Sequence, residues 1–142
     1  MKVRQTVKVL WAAPCSAVGL MFAAALLLFG GRVKFFAGTL EVTFRQNKSL
    51  CGRGARWLPF RAITFGHVIV AVTQQELEHL RAHERAHVEQ YERWGVMFFL
   101  AYAASSIWQI LMGRRAYWDN YFEVEARKCA ARSGARHLHS EG

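Results

Sequence analysis

Residues 73–95 read TQQELEHLRAHERAHVEQYERWG, with His83-Glu84-Arg85-Ala86-His87 at their centre. The stretch reads as one helix. Thr73 is a good N-cap, Glu76 stands where a capping box places its acid, and Val72 and Leu77 occupy hydrophobic-staple positions. Gly95 suits the residue of positive φ that closes a helix. On a helical wheel of about 100° per residue, Leu77, Leu80, Val88 and Tyr91 form an apolar stripe. Glu78, Arg81, Arg85, Glu89, Glu92 and Arg93 lie opposite. Glu84 falls in the middle of the stripe, and His83 and His87 fall on its flank.

Histidines four residues apart project from one helix face, so their ring nitrogens can converge on a single Zn²⁺. The glutamate beside the first histidine can then reach a metal-bound water and take its proton. A carboxylate aimed into a core is costly unless it is paired or serves such a water. The competing reading is a helix with two partly buried histidines and Glu84 paired to a nearby arginine. His79, one turn before His83, reads as a polar residue at the stripe's edge rather than as a ligand.

The chain has 142 residues, enough for one small domain. Its composition, 53% hydrophobic with a net charge of +9, suits a basic protein at an anionic membrane. Nucleic acid is the usual rival partner for so basic a chain. Here Lys and Arg are scattered and no DNA- or RNA-binding signature occurs, so no nucleic-acid partner is expected. Cys15, Cys51 and Cys129 show no paired spacing, so neither a disulfide framework nor a cysteine-based zinc site is indicated.

Lys2, Arg4 and Lys8 precede an uncharged run of 20 residues, Leu10 to Phe29, long enough for a bilayer-spanning helix. Residues 1–31 are therefore read as an uncleaved membrane anchor, a cleaved signal peptide being the alternative, and 32–142 as the folded domain. Membrane lipids are accordingly an expected partner. Basic residues flank both ends of the run, so its orientation is not readable. Val33 to Phe36 and Leu40 to Phe44 read as a hairpin across Ala37-Gly38-Thr39. Gln46 to Arg56 reads as an exposed loop. Ala62 to Phe65 and His67 to Val72 read as strands separated by Gly66. After Gly95, Val96 to Met112 is apolar all round apart from Ser105, Ser106 and Gln109, and at 17 residues it is at the lower limit for a span. If a ligand lies downstream of it, this segment cannot cross the bilayer. It is expected as a buried helix or one resting on the membrane surface.

A hydrolytic zinc site needs a third protein ligand and an open position. The candidates lie in Asp119-Asn120-Tyr121-Phe122-Glu123-Val124-Glu125, and the helical wheel does not separate Glu123 from Glu125. A structural alternative is that Asn120 caps a helix running to about Arg132, with Glu123 closing a capping box.

His83-Glu84-Arg85-Ala86-His87, then Val88-Glu89-Gln90 and a later Glu123-x-Glu125-Ala126, resembles the gluzincin group of zinc metallopeptidases. The chain is also similar to small bacterial proteins with a His-Glu-x-x-His and a Tyr-Glu-Arg-Trp-Gly run. The resemblance covers roughly residues 67 to 130. It implies that His83, His87 and Glu123 hold Zn²⁺, that Glu84 is the general base, and that the substrate is a peptide or protein. In such enzymes the strand leading into the motif helix can hold an extended peptide along its edge. The chain departs from the pattern at Arg127, where these families often place an aspartate that supports the site.

The expected molecule is thus α+β: an N-terminal transmembrane helix, short antiparallel strands, a zincin-like HExxH helix, an apolar helix and a C-terminal ligand-bearing helix. Tyr117, Tyr121 and His137 are candidate partners for a developing oxyanion. Two other classes of function fit the same residues. One is a zinc-binding protein without catalysis. The other is a basic membrane-surface interaction protein in which the HExxH is accidental.

Overall fold

A computed structural model of the chain describes residues 2–28, 30–44 and 61–140, with side chains described for 6–28, 30–44 and 61–135. The loop expected over Gln46 to Arg56 lies outside them. The order of elements is α1 (Lys2–Leu28), β1 (Arg32–Phe36), β2 (Thr39–Thr43), β3 (Ala62–Phe65), β4 (Val68–Ala71), α2 (Gln74–Trp94), α3 (Met97–Leu111) and α4 (Tyr121–Ser140). The described residues thus form an α+β fold with four helices and one four-stranded sheet.

Both expected hairpins form. Phe36 pairs with Thr39 and Phe65 with Val68, leaving two-residue turns at Ala37-Gly38 and Gly66-His67. Ala37 and Gly38 both have positive φ, the backbone that matches a two-residue turn to the twist of its strands. The expectation of an all-antiparallel sheet is corrected. The order is β1-β2-β4-β3, and the two hairpins join through a parallel pair, with Leu40 opposite Val68 and Val42 opposite Val70. The reason lies in burial. β2 and β4 are the buried strands, and side by side at the centre they are covered on both faces, which suits a parallel pair. β1, exposed at all five positions, is left at one edge and β3 at the other.

Helix α2 begins as its sequence indicates. Thr73 Oγ1 accepts the Glu76 N–H at 3.1 Å, while the Glu76 carboxylate takes the Arg61 guanidinium. Leu77 and Val88 pack on Ile69 and Ala71 of β4, and Tyr91 enters a second cluster with Ala12, Cys15, Phe98 and Phe122. At Gly95 the chain turns, and α3 leaves at 114° to α2. The buried alternative for Val96 to Met112 is corrected: among its large apolar side chains only Phe98 is buried, while Leu100, Ile107, Trp108, Ile110 and Leu111 face outward. The helix is one-sided because Phe98, Ala101 and Tyr102 pack into the core cluster, with Phe99 touching its edge at Tyr91.

Helix α1 is long and apolar enough to cross a membrane. It also packs against α2 and the sheet. Its inner face is made of small residues: Ala12, Cys15, Gly19 and Ala23 are buried. Ser16 Oγ accepts the His67 N–H at 3.0 Å, and Phe22 stacks on Phe65. At Gly66, with φ +59°, a Cβ would stand 2.3 Å from Ser16 Oγ and 2.6 Å from Ser16 N. Gly38, with φ +85°, faces open space. Gly66→Ala should therefore cost about 2–4 kcal/mol of stability, backbone strain plus overpacking against α1, and Gly38→Ala only about 1–2 kcal/mol. Denaturant unfolding of the two variants in detergent measures the difference. Equal losses would mean that α1 does not approach the β3–β4 turn this closely.

Candidate metal centre

The second turn of the chain's polar chemistry comes from α4, whose start is held in place by Asn120. This fully buried side chain accepts the Phe122 N–H through Oδ1 at 2.9 Å. Its amide donates to the Tyr102 carbonyl at 3.0 Å and to Ser106 Oγ at 2.7 Å. The expected N-cap is therefore real, and it ties α4 to α3. The expected capping box is not: Glu123 turns away from the helix start toward α2. Phe122 packs on Phe98, Tyr102 and Trp94, which sets the rotation of α4 about its axis. The helix runs to Ser140, beyond the expected end near Arg132.

With α4 so placed, three side chains meet. The Nε2 atoms of His83 and His87 are 3.2 Å apart. Glu123 Oε2 lies 3.2 Å from His83 Nε2, and Glu123 Oε1 lies 3.4 Å from His87 Nε2. One ligand atom from each of the three lies within 4.8 Å of the others, so the group could hold a metal ion. His87 and Glu123 are buried and His83 is nearly so. The Tyr102 hydroxyl donates to Glu123 Oε1 at 2.8 Å. Glu123 Oε2 is buried without a hydrogen-bond partner, the nearby His83 nitrogen falling outside hydrogen-bond geometry. Burial would raise the Glu123 pKa, but the two imidazoles and the Tyr102 hydroxyl outweigh it and hold the carboxyl well below the usual range. Burial likewise opposes charge on His87, yet the Glu123 and Glu84 carboxylates carry its pKa above the usual value.

The orientation of His87 follows from Gln90. The Gln90 amide nitrogen donates to the Phe122 carbonyl at 3.0 Å and to Glu125 Oε2 at 2.8 Å. Two acceptors on one side leave Gln90 Oε1 facing His87 Nδ1 at 2.8 Å, so Nδ1 carries the proton. A neutral His87 then presents the Nε2 lone pair toward Glu123 and His83, which is the tautomer a metal requires. Glu125, the alternative third ligand, is thereby placed one layer out, where it also meets Arg93 at 3.2 Å. Arg127 stays away from the cluster, its guanidinium over the Trp118 ring and on the Trp118 carbonyl.

Glu84 is 4% exposed. Among the described residues no arginine pairs with it: Thr64 Oγ1 of β3 donates to Glu84 Oε2 at 2.8 Å, while Arg81 forms a two-pronged bond to the buried Glu41. Burial raises the Glu84 pKa, partly offset by His87, Thr64 and His83. Glu84, His83, His87 and Glu123 all line a cavity of about 790 Å³. Its walls carry Phe65, Phe98, Phe99, Tyr102 and Trp118. His79 is at its exposed rim. Tyr117 also lines it, and burial together with the Glu123 carboxylate pushes its phenol up to about 12. Tyr121 is exposed and packs on Phe122 instead, and the His137 side chain lies outside the described residues. The strand that borders the cavity is β3, not the one leading into α2: β4 is interior, flanked by β2 and β3.

Thr64, Gln90 and Tyr102 were not legible as site residues. The signal for Tyr102 was a lone phenol inside an apolar run, and for Gln90 its position three residues after His87. Comparison of the chain with protein-family models, curated proteins and solved structures finds no match. Gln90→Leu should cost about 1–3 kcal/mol of stability, because it unpairs the buried Phe122 carbonyl, and weaken metal binding by the folded protein about 10–100-fold, because it frees the His87 ring from its tautomer. Competition with a chelator reads the affinity. Unchanged affinity would mean that Gln90 does not orient His87.

Proposed function

We propose that the protein is a membrane-associated, zinc-dependent metallopeptidase of the gluzincin type. The observation that carries the reading is the convergence of His83, His87 and Glu123 around a buried carboxylate oxygen that has no hydrogen-bond partner, beside Glu84 in an open cavity. Two imidazoles and one carboxylate are a donor set that zinc uses in hydrolytic sites, so these residues fit that ion. Bound there, zinc would polarise a carbonyl oxygen and lower the pKa of a water.

The remaining work falls to the chain's own groups. Glu84, steadied by Thr64 Oγ1, takes a proton from the attacking water and returns it to the leaving amine. Tyr102 holds Glu123 in the orientation that serves the histidines. The outer edge of β3 offers main-chain groups to an extended peptide, and the aromatic wall of the cavity suits apolar side chains of that peptide. α1 and the exposed apolar face of α3 bring this chemistry to a membrane.

The purified protein should contain about one zinc per chain, lost in His83→Ala/His87→Ala. Zinc at equal occupancy in that double variant would refute the site. Glu84→Gln should keep its zinc and lose hydrolysis of a fluorogenic peptide library by about 10²–10⁴-fold. Full turnover in Glu84→Gln would remove the general base from the mechanism. A zinc-loaded wild type that cleaves nothing in the library would favour a non-catalytic zinc protein.

A further inference from the structure

The packing of α1 restricts how the protein can meet a membrane. On a wheel of about 100° per residue, Ala12, Cys15, Gly19 and Ala23 share the buried face, while Leu10, Ala17, Met21 and Leu28 lie along the opposite line. Leu10, Met21 and Leu28 are among the most exposed apolar side chains in the chain, at 74%, 74% and 88%. The inner contacts extend over nearly the whole helix. Lys8 reaches Glu92 of α2 at 3.1 Å, and Trp11 lies against Gly95 at the end of α2. Ser16 and Gly19 meet the β3–β4 turn and β4, and Ala23 and Leu26 pack on β2 and β4.

A bilayer around α1 from Trp11 to Leu28 would therefore surround the sheet as well. β1 and β3 are edge strands, β1 is exposed at every position, and it carries Arg32 and Lys34. Open sheet edges do not occur in the hydrocarbon region, because their backbone N–H and C=O groups would have no partner there. A helix docked along its length on a sheet with open edges cannot also cross the bilayer. Its outer face, without a charged residue from Val9 to Leu28, can instead lie along the interface.

We infer that α1 lies in the plane of an anionic membrane surface, its Leu10–Ala17–Met21–Leu28 line immersed and its Ala12–Cys15–Gly19–Ala23 face holding the domain. The lipid surface is the occupant because the chain carries a net charge of +9 and places exposed Trp11 beside this face, the residue type that settles at the boundary of headgroups and acyl chains. This arrangement replaces the single crossing expected from the length of the apolar run. It does not depend on the metal, so the two readings stand or fall separately.

The test is a depth measurement on the full chain in vesicles of phosphatidylcholine and phosphatidylglycerol. Nitroxide labels go on Leu10→Cys, Ala17→Cys, Met21→Cys and Leu28→Cys, one at a time, in a Cys51→Ser/Cys129→Ser background. The buried Cys15 is kept, and all four positions face outward, so the packing of α1 is preserved. All four labels should sit at one shallow depth, about 5–10 Å below the headgroups. A label at Ala17 near the bilayer centre, about 15 Å down, with Leu10 and Leu28 shallow, would show a crossing helix and overturn the inference. Labels that broaden one another without lipid contact would show a second copy on this face, and would overturn it too. Vesicles of phosphatidylcholine alone should bind at least tenfold less; equal binding would remove the anionic surface from the inference.

Discussion

A buried carboxylate held between two imidazoles is the constraint around which this domain is arranged. Glu123 can reach His83 and His87 only if α4 starts beside the middle of α2, and the chain must travel out along α3 and back to put it there. Asn120 fixes the return by bonding α3 and capping α4 at once. Gln90 then locks the two helices together through the Phe122 carbonyl and Glu125. An unpaired polar group is costly in such surroundings, so each of these bonds supports the others. Two imidazole nitrogens that converge on a buried carboxylate oxygen without a hydrogen-bond partner are a donor set that a bound cation would satisfy.

The apolar packing serves the same cluster. Tyr91 lies one turn beyond His87, Phe122 immediately precedes Glu123, and both sit in the core with Phe98. That core is closed on its far side by Ala12 and Cys15 of α1. Helix α1 therefore backs the core from which the His83, His87 and Glu123 cluster is carried. Small residues make this close contact feasible: side chains larger than those of Ser16, Gly19 and Gly66 would push α1 away from the sheet. β3, the strand beside α1, supplies Thr64 to Glu84, so α1, β3 and Glu84 form one connected layer.

The charged groups divide by the same logic. Arg81 and Glu41 satisfy each other beneath the sheet, with Arg81 also over the Phe36 ring at 4.7 Å. The Lys8–Glu92, Arg93–Glu125 and Arg115–Asp119 pairs lie at the surface and contribute little to stability. Among the described residues, only Glu84 and Glu123 carry buried carboxylates toward a cavity, and Glu123 Oε2 is the buried polar atom there that has no hydrogen-bond partner.

Local pattern was enough for much of this. The i, i+4 histidines, the Thr73 cap, the Gly95 stop, both hairpins and the apolar character of α1 are properties of neighbours in the chain, and neighbours are what a sequence displays. Spacing placed Glu84 on the inner face of α2 without saying what it would meet, and it left Glu123 and Glu125 undecided, because both flank the same helical stripe. That choice needed the rotation of α4, which Asn120 and Phe122 set through contacts with α3 and α2. The parallel pairing of β2 with β4, the interior position of β4, and Thr64 and Tyr102 at the site all depend on contacts between elements far apart in sequence. The role of α1 belongs with them. Twenty uncharged residues define an apolar helix, but whether lipid or protein covers each face is decided by what packs against Ala12, Cys15, Gly19 and Ala23.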